Sequence, residues 1–310
     1  MSPSAARVPG FALGLAVAVA SLAQAAPLPA PPPAPTHPWL AAMNAEVPRV
    51  PLDERFAAPP GFTRVAVGAG SFAEFLRTLP IRTDRLVVLD FRSRPLLRPA
   101  AAIVYLDVGE TDAQQCADTA LRLYAEWRWS RGLATGSAFH LTSGDRVRFA
   151  DWVAGERVVA AGRGITRHSG ARRASSHASY RSWLNLVFRY AGTQSLRLDS
   201  AAVPETAPLE AGDVFVEPGS PGHAVVLLDL AEAPDGRRVA LVGQGYMPAE
   251  DLHVLGAGPP TTVDGVWFVL PGPGGQLATP SWRPFSRVAA RRFSPTRDAN
   301  LSPGPVPDKP

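Results

Sequence analysis

Three runs decide the fold: Gly212-Asp-Val-Phe-Val216, Pro221-Gly-His223-Ala-Val-Val-Leu-Leu-Asp-Leu230 and Arg238-Val-Ala-Leu-Val-Gly-Gln244. They are dense in Val, Leu and Phe, side chains that fit a pleated, half-buried surface. Asp235-Gly236 sits between the second and third runs, a hairpin-turn dipeptide, so these two strands are predicted antiparallel. Strands are also read over Thr63–Val67, Leu86–Phe91, Ala101–Val108 and Val266–Leu270, with a short one over Phe139–Thr142.

Helical patterns lie upstream. Ser71 and Glu74 form a capping box for a helix that stops before Pro80. Thr111 and Gln114 form a second box, opening a helix to about Trp129 with Ala117, Ala120, Leu121, Tyr124 and Trp127 facing inward. Asp118, Arg122 and Glu126 share another face at i, i+4 and i+8, read as a solvated ion-pair ladder. His177–Tyr190 is a further helix, with Tyr180, Trp183, Leu184, Val187 and Phe188 inward and Gly192 as its stop signal. Residues 147–153 read as a short helix, and the Gly-, Ser- and Arg-rich stretch 162–176 as an exposed loop. The fold class is therefore α+β, an antiparallel sheet packed against helices.

Outside this core the composition changes. Arg7 followed by the apolar run Phe11–Ala23 and Ala23-Gln24-Ala25 reads as a signal peptide over 1–25. No cysteine follows the apolar run, so no lipobox is present, and no later segment is apolar enough to span a bilayer. The expected location is periplasmic or secreted. Residues 26–55 read as a Pro/Ala-rich linker, 56–293 as a single globular domain, and 294–310 as a Pro-rich disordered tail. The chain carries net charge +4. Its cations are nearly all arginine, and a solvated basic surface accounts for them. There is no Walker or dinucleotide fingerprint, no H-E-x-x-H spacing and no cysteine cluster, so no cofactor, metal or nucleic-acid partner is expected. Nothing in the sequence bears on oligomeric state.

The only cysteine is Cys116. It has no partner for an intrachain disulfide, which leaves a buried inert thiol, an intermolecular link or a nucleophile. A thiol attacks a carbonyl as thiolate, so it needs an imidazole to take its proton and return it to the leaving group. A third polar group orients that imidazole, and a nearby donor stabilises the oxyanion. The candidates are Cys116 as nucleophile, His223 as base and acid, Gln244 as orienter and Gln115 at the oxyanion. Gln114, Asp118, Gly222 and Tyr246 are expected to line the substrate cleft. Asp229 is an alternative orienter, but six residues along one strand place it roughly 20 Å away. His253, beside Asp251, competes for a site with Gln244 and Tyr246.

Gln114-Gln-Cys116-Ala-Asp118, Tyr190-Ala-Gly-Thr-Gln-Ser-Leu196, Gly212-Asp213, Pro221-Gly-His223-Ala-Val-Val and Gly243-Gln244-Gly-Tyr246-Met-Pro-Ala249 together resemble the DUF4846 family of bacterial proteins. That family usually carries Ser where this chain has Gly245, and Gln where it has Glu250. The segment around Gly222-His223 is also similar to the His-bearing hairpin of NlpC/P60 and CHAP domains. This second resemblance implies a papain-like cysteine peptidase or amidase, with a cell-wall peptide or another envelope amide as substrate. Ala117-Asp118 after the cysteine departs from the small pair usual there. The rival expectation is a non-catalytic envelope protein that binds a peptide or glycan in the same cleft.

Overall fold

Beyond Met1, the computed structural model describes residues 37–294. The signal-peptide reading over 1–25, the linker up to 36 and the tail from 295 lie outside the described residues. In chain order the elements that position the site are α1 (Phe72–Arg77), β1 (Ala100–Ile103), α2 (Cys116–Ser130), β2 (Glu156–Ala161), β3 (Gly164–Ser169), α3 (His177–Tyr190) and α4 (Thr193–Leu198). They are followed by β4 (Val214–Glu217), β5 (His223–Glu232), β6 (Arg238–Gln244), β7 (His253–Leu255), β8 (Gln276–Thr279), β9 (Trp282–Ser286) and β10 (Ala290–Arg292).

The main sheet runs Ala201–Ala202, β10, β4, β5, β6, β7, β1, antiparallel throughout. The chain is thus α+β as read from sequence, and the β5–β6 hairpin turns at Gly236, whose φ of +84 suits glycine. Alternation along β5 divides two cores. Ala224, Val226 and Leu228 face the helices with Leu121 and Tyr124. Val225 and Leu227 face the other way, with Phe215, Val242 and Phe285, under the β8–β9 hairpin.

A β-bulge between Leu227 and Asp229 flips this parity: Leu230 returns to the second core and Ala231 to the first. The bulge brings Asp229 to Arg77 of α1 (2.6 Å) and Arg64 (2.7 Å). Asp229 is therefore committed to the fold, far from His223. At the other edge, buried Asp213 accepts from Arg292 at 2.6 Å and ties the last strand to the sheet.

Several expectations change. The strands over 86–91 and 101–108 shrink to Val88–Leu89 and Ala100–Ile103. The Gly- and Arg-rich stretch read as a loop supplies in its first half the turn and second strand of the hairpin β2–β3, which pairs with no other strand, while 170–176 is irregular as expected. Most of its residues are exposed, so the period-2 apolar signal that marks a half-buried strand is missing. The linker reading fails from residue 37 on, where Trp39 and Leu52 are buried in the core. The second capping box lies elsewhere: Gln115 is the N-cap, its amide donates to Asp118 Oδ2 at 3.2 Å, and Cys116 opens the helix. Asp118, Arg122 and Glu126 are buried rather than solvated. Arg122 pairs with Glu126 (2.7 Å) and Asp107 (2.8 Å), and Glu126 also holds His177 at 2.8 Å. Gly192 is not the stop of α3 but the N-cap of α4. No helix among the described residues is long and apolar enough to cross a membrane.

Candidate functional site

The first residue of α2 brings Cys116 against the start of β5. The thiol sits at the backbone amide of Ala224, next to His223, and is 6% exposed. Burial, with a lesser push from Asp118, raises its pKa to about 11, and the Ala224 amide only partly offsets this. Asp118, two residues along in the same turn, is also buried. Its Oδ1 has no hydrogen-bond partner among the described residues, and burial lifts its carboxyl to about 8.

The His223 side chain projects from the face opposite that of Ala224, as alternation requires. Its ring packs against Tyr246 (4.8 Å between centroids), Trp282 (5.2 Å) and Phe285 (6.0 Å). Nε2 lies 3.0 Å from Gln244 Oε1. The other end of that amide fixes its orientation: Gln244 Nε2 donates to Ser281 Oγ at 3.0 Å and to His253 Nε2 at 3.3 Å. Gln244 therefore presents its oxygen to His223, which must carry its proton on Nε2. His223 Nδ1 is then the bare lone pair, buried and without a partner among the described residues. Burial pulls the His223 pKa down to about 4, against the raising effect of Gln244, so the ring rests neutral. His253 is likewise lowered to about 4, by burial, and its Nδ1 donates to the Asp251 carbonyl at 3.1 Å.

Gln244 thus meets His223, and His253 joins them through Gln244. Among the described residues, no hydrogen bond links Cys116 to His223. Tyr246 packs its ring against that of His223.

A cleft of about 320 Å3 opens onto the thiol. Its lining includes Gln115, Cys116, Asp118, Thr193, Gly222 and Met247, but neither His223 nor Tyr246. Gln115 reaches the cleft with its side-chain nitrogen engaged by Asp112 Oδ1 at 3.0 Å. Gln114 does not reach it: the side chain accepts from Arg122 at 3.1 Å and donates to the Asp107 carbonyl at 3.2 Å. Its expected place in the cleft is therefore corrected, because the buried guanidinium of Arg122 claims it. Gly222 is required by close approach, since a Cβ there would lie 2.4 Å from Thr193 Oγ1 and 2.7 Å from the Glu217 carbonyl.

Sequence reasoning missed Thr193, Ser281 and the burial of Asp118. Thr193 could have been found, because it lies in one of the stretches that carry the family resemblance. Four of those five stretches contribute residues to the cleft wall. A larger groove of about 820 Å3 runs past Trp39, Tyr105, Asp107, Arg122, His177 and Arg181. Its buried arginine is already neutralised by Asp107 and Glu126. No group of three or more His, Cys, Asp or Glu among the described residues could hold a metal ion.

A search of curated proteins and of solved structures found no match. A family model does match, that of DUF4846, a domain of unknown function, over residues 52–292. The match takes in both sheet faces, α2 and the whole cleft, and the chain belongs to the DUF4846 family.

Proposed function

We propose that this protein is an exported cysteine hydrolase that cleaves an amide, with a cell-envelope peptide as the substrate class. Cys116 is the nucleophile, His223 Nδ1 takes the thiol proton, and Gln244 is the positioning residue that holds the ring in its Nε2–H tautomer. The observation that carries this reading is the bare Nδ1, produced by the orientation of Gln244, on the residue next to the amide that touches the sulfur. A buried imidazole nitrogen left without a partner costs stability, and a role in proton transfer is the reason to keep one.

In the resting arrangement thiol and imidazole are both neutral. Attack forms the S–C bond as the sulfur proton moves to Nδ1. The imidazolium then protonates the leaving amine as the C–N bond breaks, and water releases the acyl group by the reverse transfer. The Cys116 amide at the start of α2 is a free N–H beside the sulfur and a natural oxyanion donor. The Gln115 side chain spends one N–H on Asp112 and has a second to offer beside it.

A second reading has its own support. The raised thiol pKa and the lack of a Cys116–His223 hydrogen bond suit a non-catalytic cleft that binds a peptide or glycan. Alkylation by iodoacetamide separates the two. The hydrolase reading expects Cys116 to be modified at neutral pH and the rate to fall at least tenfold, on the order of a lost general base, in His223→Ala. The binding reading expects modification only as pH approaches about 11, with no dependence on His223.

A further inference from the structure

The β2–β3 hairpin and its flanks hold the chain's whole charge imbalance. Residues 145–173 contain seven arginines (146, 148, 157, 163, 167, 172, 173) against Asp145, Asp151 and Glu156, a surplus of four, equal to the net charge of +4 for the full chain. Everywhere else positive and negative side chains balance. Among these seven, Arg167 pairs with Glu156, and the other six make no salt bridge among the described residues. By contrast Arg64, Arg77, Arg98 and Arg122 of the core each hold a carboxylate. Arg157 and Arg173 flank the Trp152 indole at 4.4 and 4.7 Å, crowding two like charges on one ring. Arg163, Arg172 and Arg173 are exposed, and so are Val159, Ala160 and Ala161 at the hairpin tip. Val159 keeps half of its surface in water.

We propose that this hairpin is a docking arm for an anionic phospholipid surface, the exposed guanidinium groups of Arg163, Arg172 and Arg173 meeting lipid phosphates while the aliphatic tip enters the headgroup layer. Arginine binds phosphate through a planar fork of donors, and an exposed aliphatic tip framed by cations is the pattern of interfacial attachment. Surplus charge concentrated on one projecting element attracts a polyanionic surface, whereas the same charge spread over the molecule would not orient it. Nucleic acid is the weaker fit, because the hairpin offers no free aromatic face for a base: Trp152 is already covered by the two arginines. The hairpin shares no residue with the Cys116 cleft, so the proposal is independent of the hydrolase reading.

The test is co-sedimentation of the full chain with vesicles of phosphatidylcholine alone or with about 30 mol % phosphatidylglycerol, in low and near-physiological salt. The apolar run Phe11–Ala23 and the basic Arg7 before it are the same in parent and variant, so the difference between the two chains on anionic vesicles carries the result. Binding to the anionic vesicles is expected to exceed that to neutral ones and to weaken with salt. The triple variant Arg163→Ser, Arg172→Ser, Arg173→Ser should lose about a hundredfold in partitioning, about fivefold per arginine. All three are surface residues, and an unchanged melting curve would show that the variant is folded. Should it not fold, Val159→Ser replaces it, expected to weaken binding while keeping the preference for phosphatidylglycerol. Equal binding to both vesicles, a folded triple variant that partitions like the parent, or tighter binding to a single-stranded oligonucleotide than to the anionic vesicles would overturn the proposal.

Discussion

Cys116 and Asp118 share one turn of helix, and the carboxylate adds to the proton affinity of the thiol. An ionised Asp118 repels a thiolate, which is why it adds to the burial that raises Cys116. Asp118→Asn keeps the acceptor for the Gln115 amide and removes the charge. The midpoint of Cys116 alkylation should then fall below the parent's, read from the pH dependence of the labelling rate. An unchanged midpoint would mean that desolvation alone holds the thiol protonated. Only part of this was legible in the sequence. Cys116, His223 and Gln244 stand out in the sequence because a nucleophile, a base and an orienter would need those residue types, and the structure brings Gln244 to His223. The burial of Asp118 was not legible, since it depends on segments remote in sequence, among them α3, α4 and residues 219–222, that gather round the same cleft.

Two elements, α2 and β6, approach so closely that one side chain must be missing. A Cβ on Gly245 would lie 2.4 Å from Thr119 Oγ1, and that hydroxyl is held by the Gln115 carbonyl at 2.8 Å. Gly245→Ala is therefore expected to cost about 1–3 kcal/mol by overpacking, and Thr119→Ala in the same chain to recover most of it. Urea unfolding of the four variants measures the coupling, and additive losses would contradict the contact. The serine usual at this position in the family implies a different neighbour for it there. Asp229 makes a second claim at this scale. Removing it by Asp229→Ala strands Arg64 and Arg77 and should cost about 3–5 kcal/mol. An Asp229→Ala chain with the parent's denaturation midpoint would show that water satisfies both guanidinium groups. The strands β4, β5 and β6 and the helix α3 were readable from period 2 and period 3.6. The bulge in β5 was not, because it is defined by the register of the neighbouring strand rather than by residues of its own.

Across the whole molecule, buried titratable groups couple the fold to pH in opposing senses. Asp118 has a folded pKa near 8, above its ordinary value of 3.8. Its contribution is thus fully present below 3.8 and is lost as pH rises towards 8. Relative to the parent, Asp118→Asn should gain melting temperature progressively from pH 4 to pH 8, and a constant difference would place Asp118 in contact with water. His223 and His253, lowered to about 4, act the other way: their contribution is present above 6.5 and lost as pH falls towards 4. The sheet flanked by helices was legible at this scale, because antiparallel hairpins and amphipathic helices announce themselves locally. That the His223 ring and the Ala224 side chain leave the strand on opposite faces was implicit in the alternation of β5. It became visible only once α2 was seen to pack on the Ala224 side.

The central claim is that the bare nitrogen of His223 takes the proton of Cys116. The most direct measurement is the rate of Cys116 carbamidomethylation at pH 7, followed by intact mass, in the parent, in His223→Ala and in Gln244→Leu. A modified parent is predicted, with both variants slowed and His223→Ala slowed most. Equal rates in all three chains, or a parent that stays unmodified until strongly alkaline pH, would contradict it.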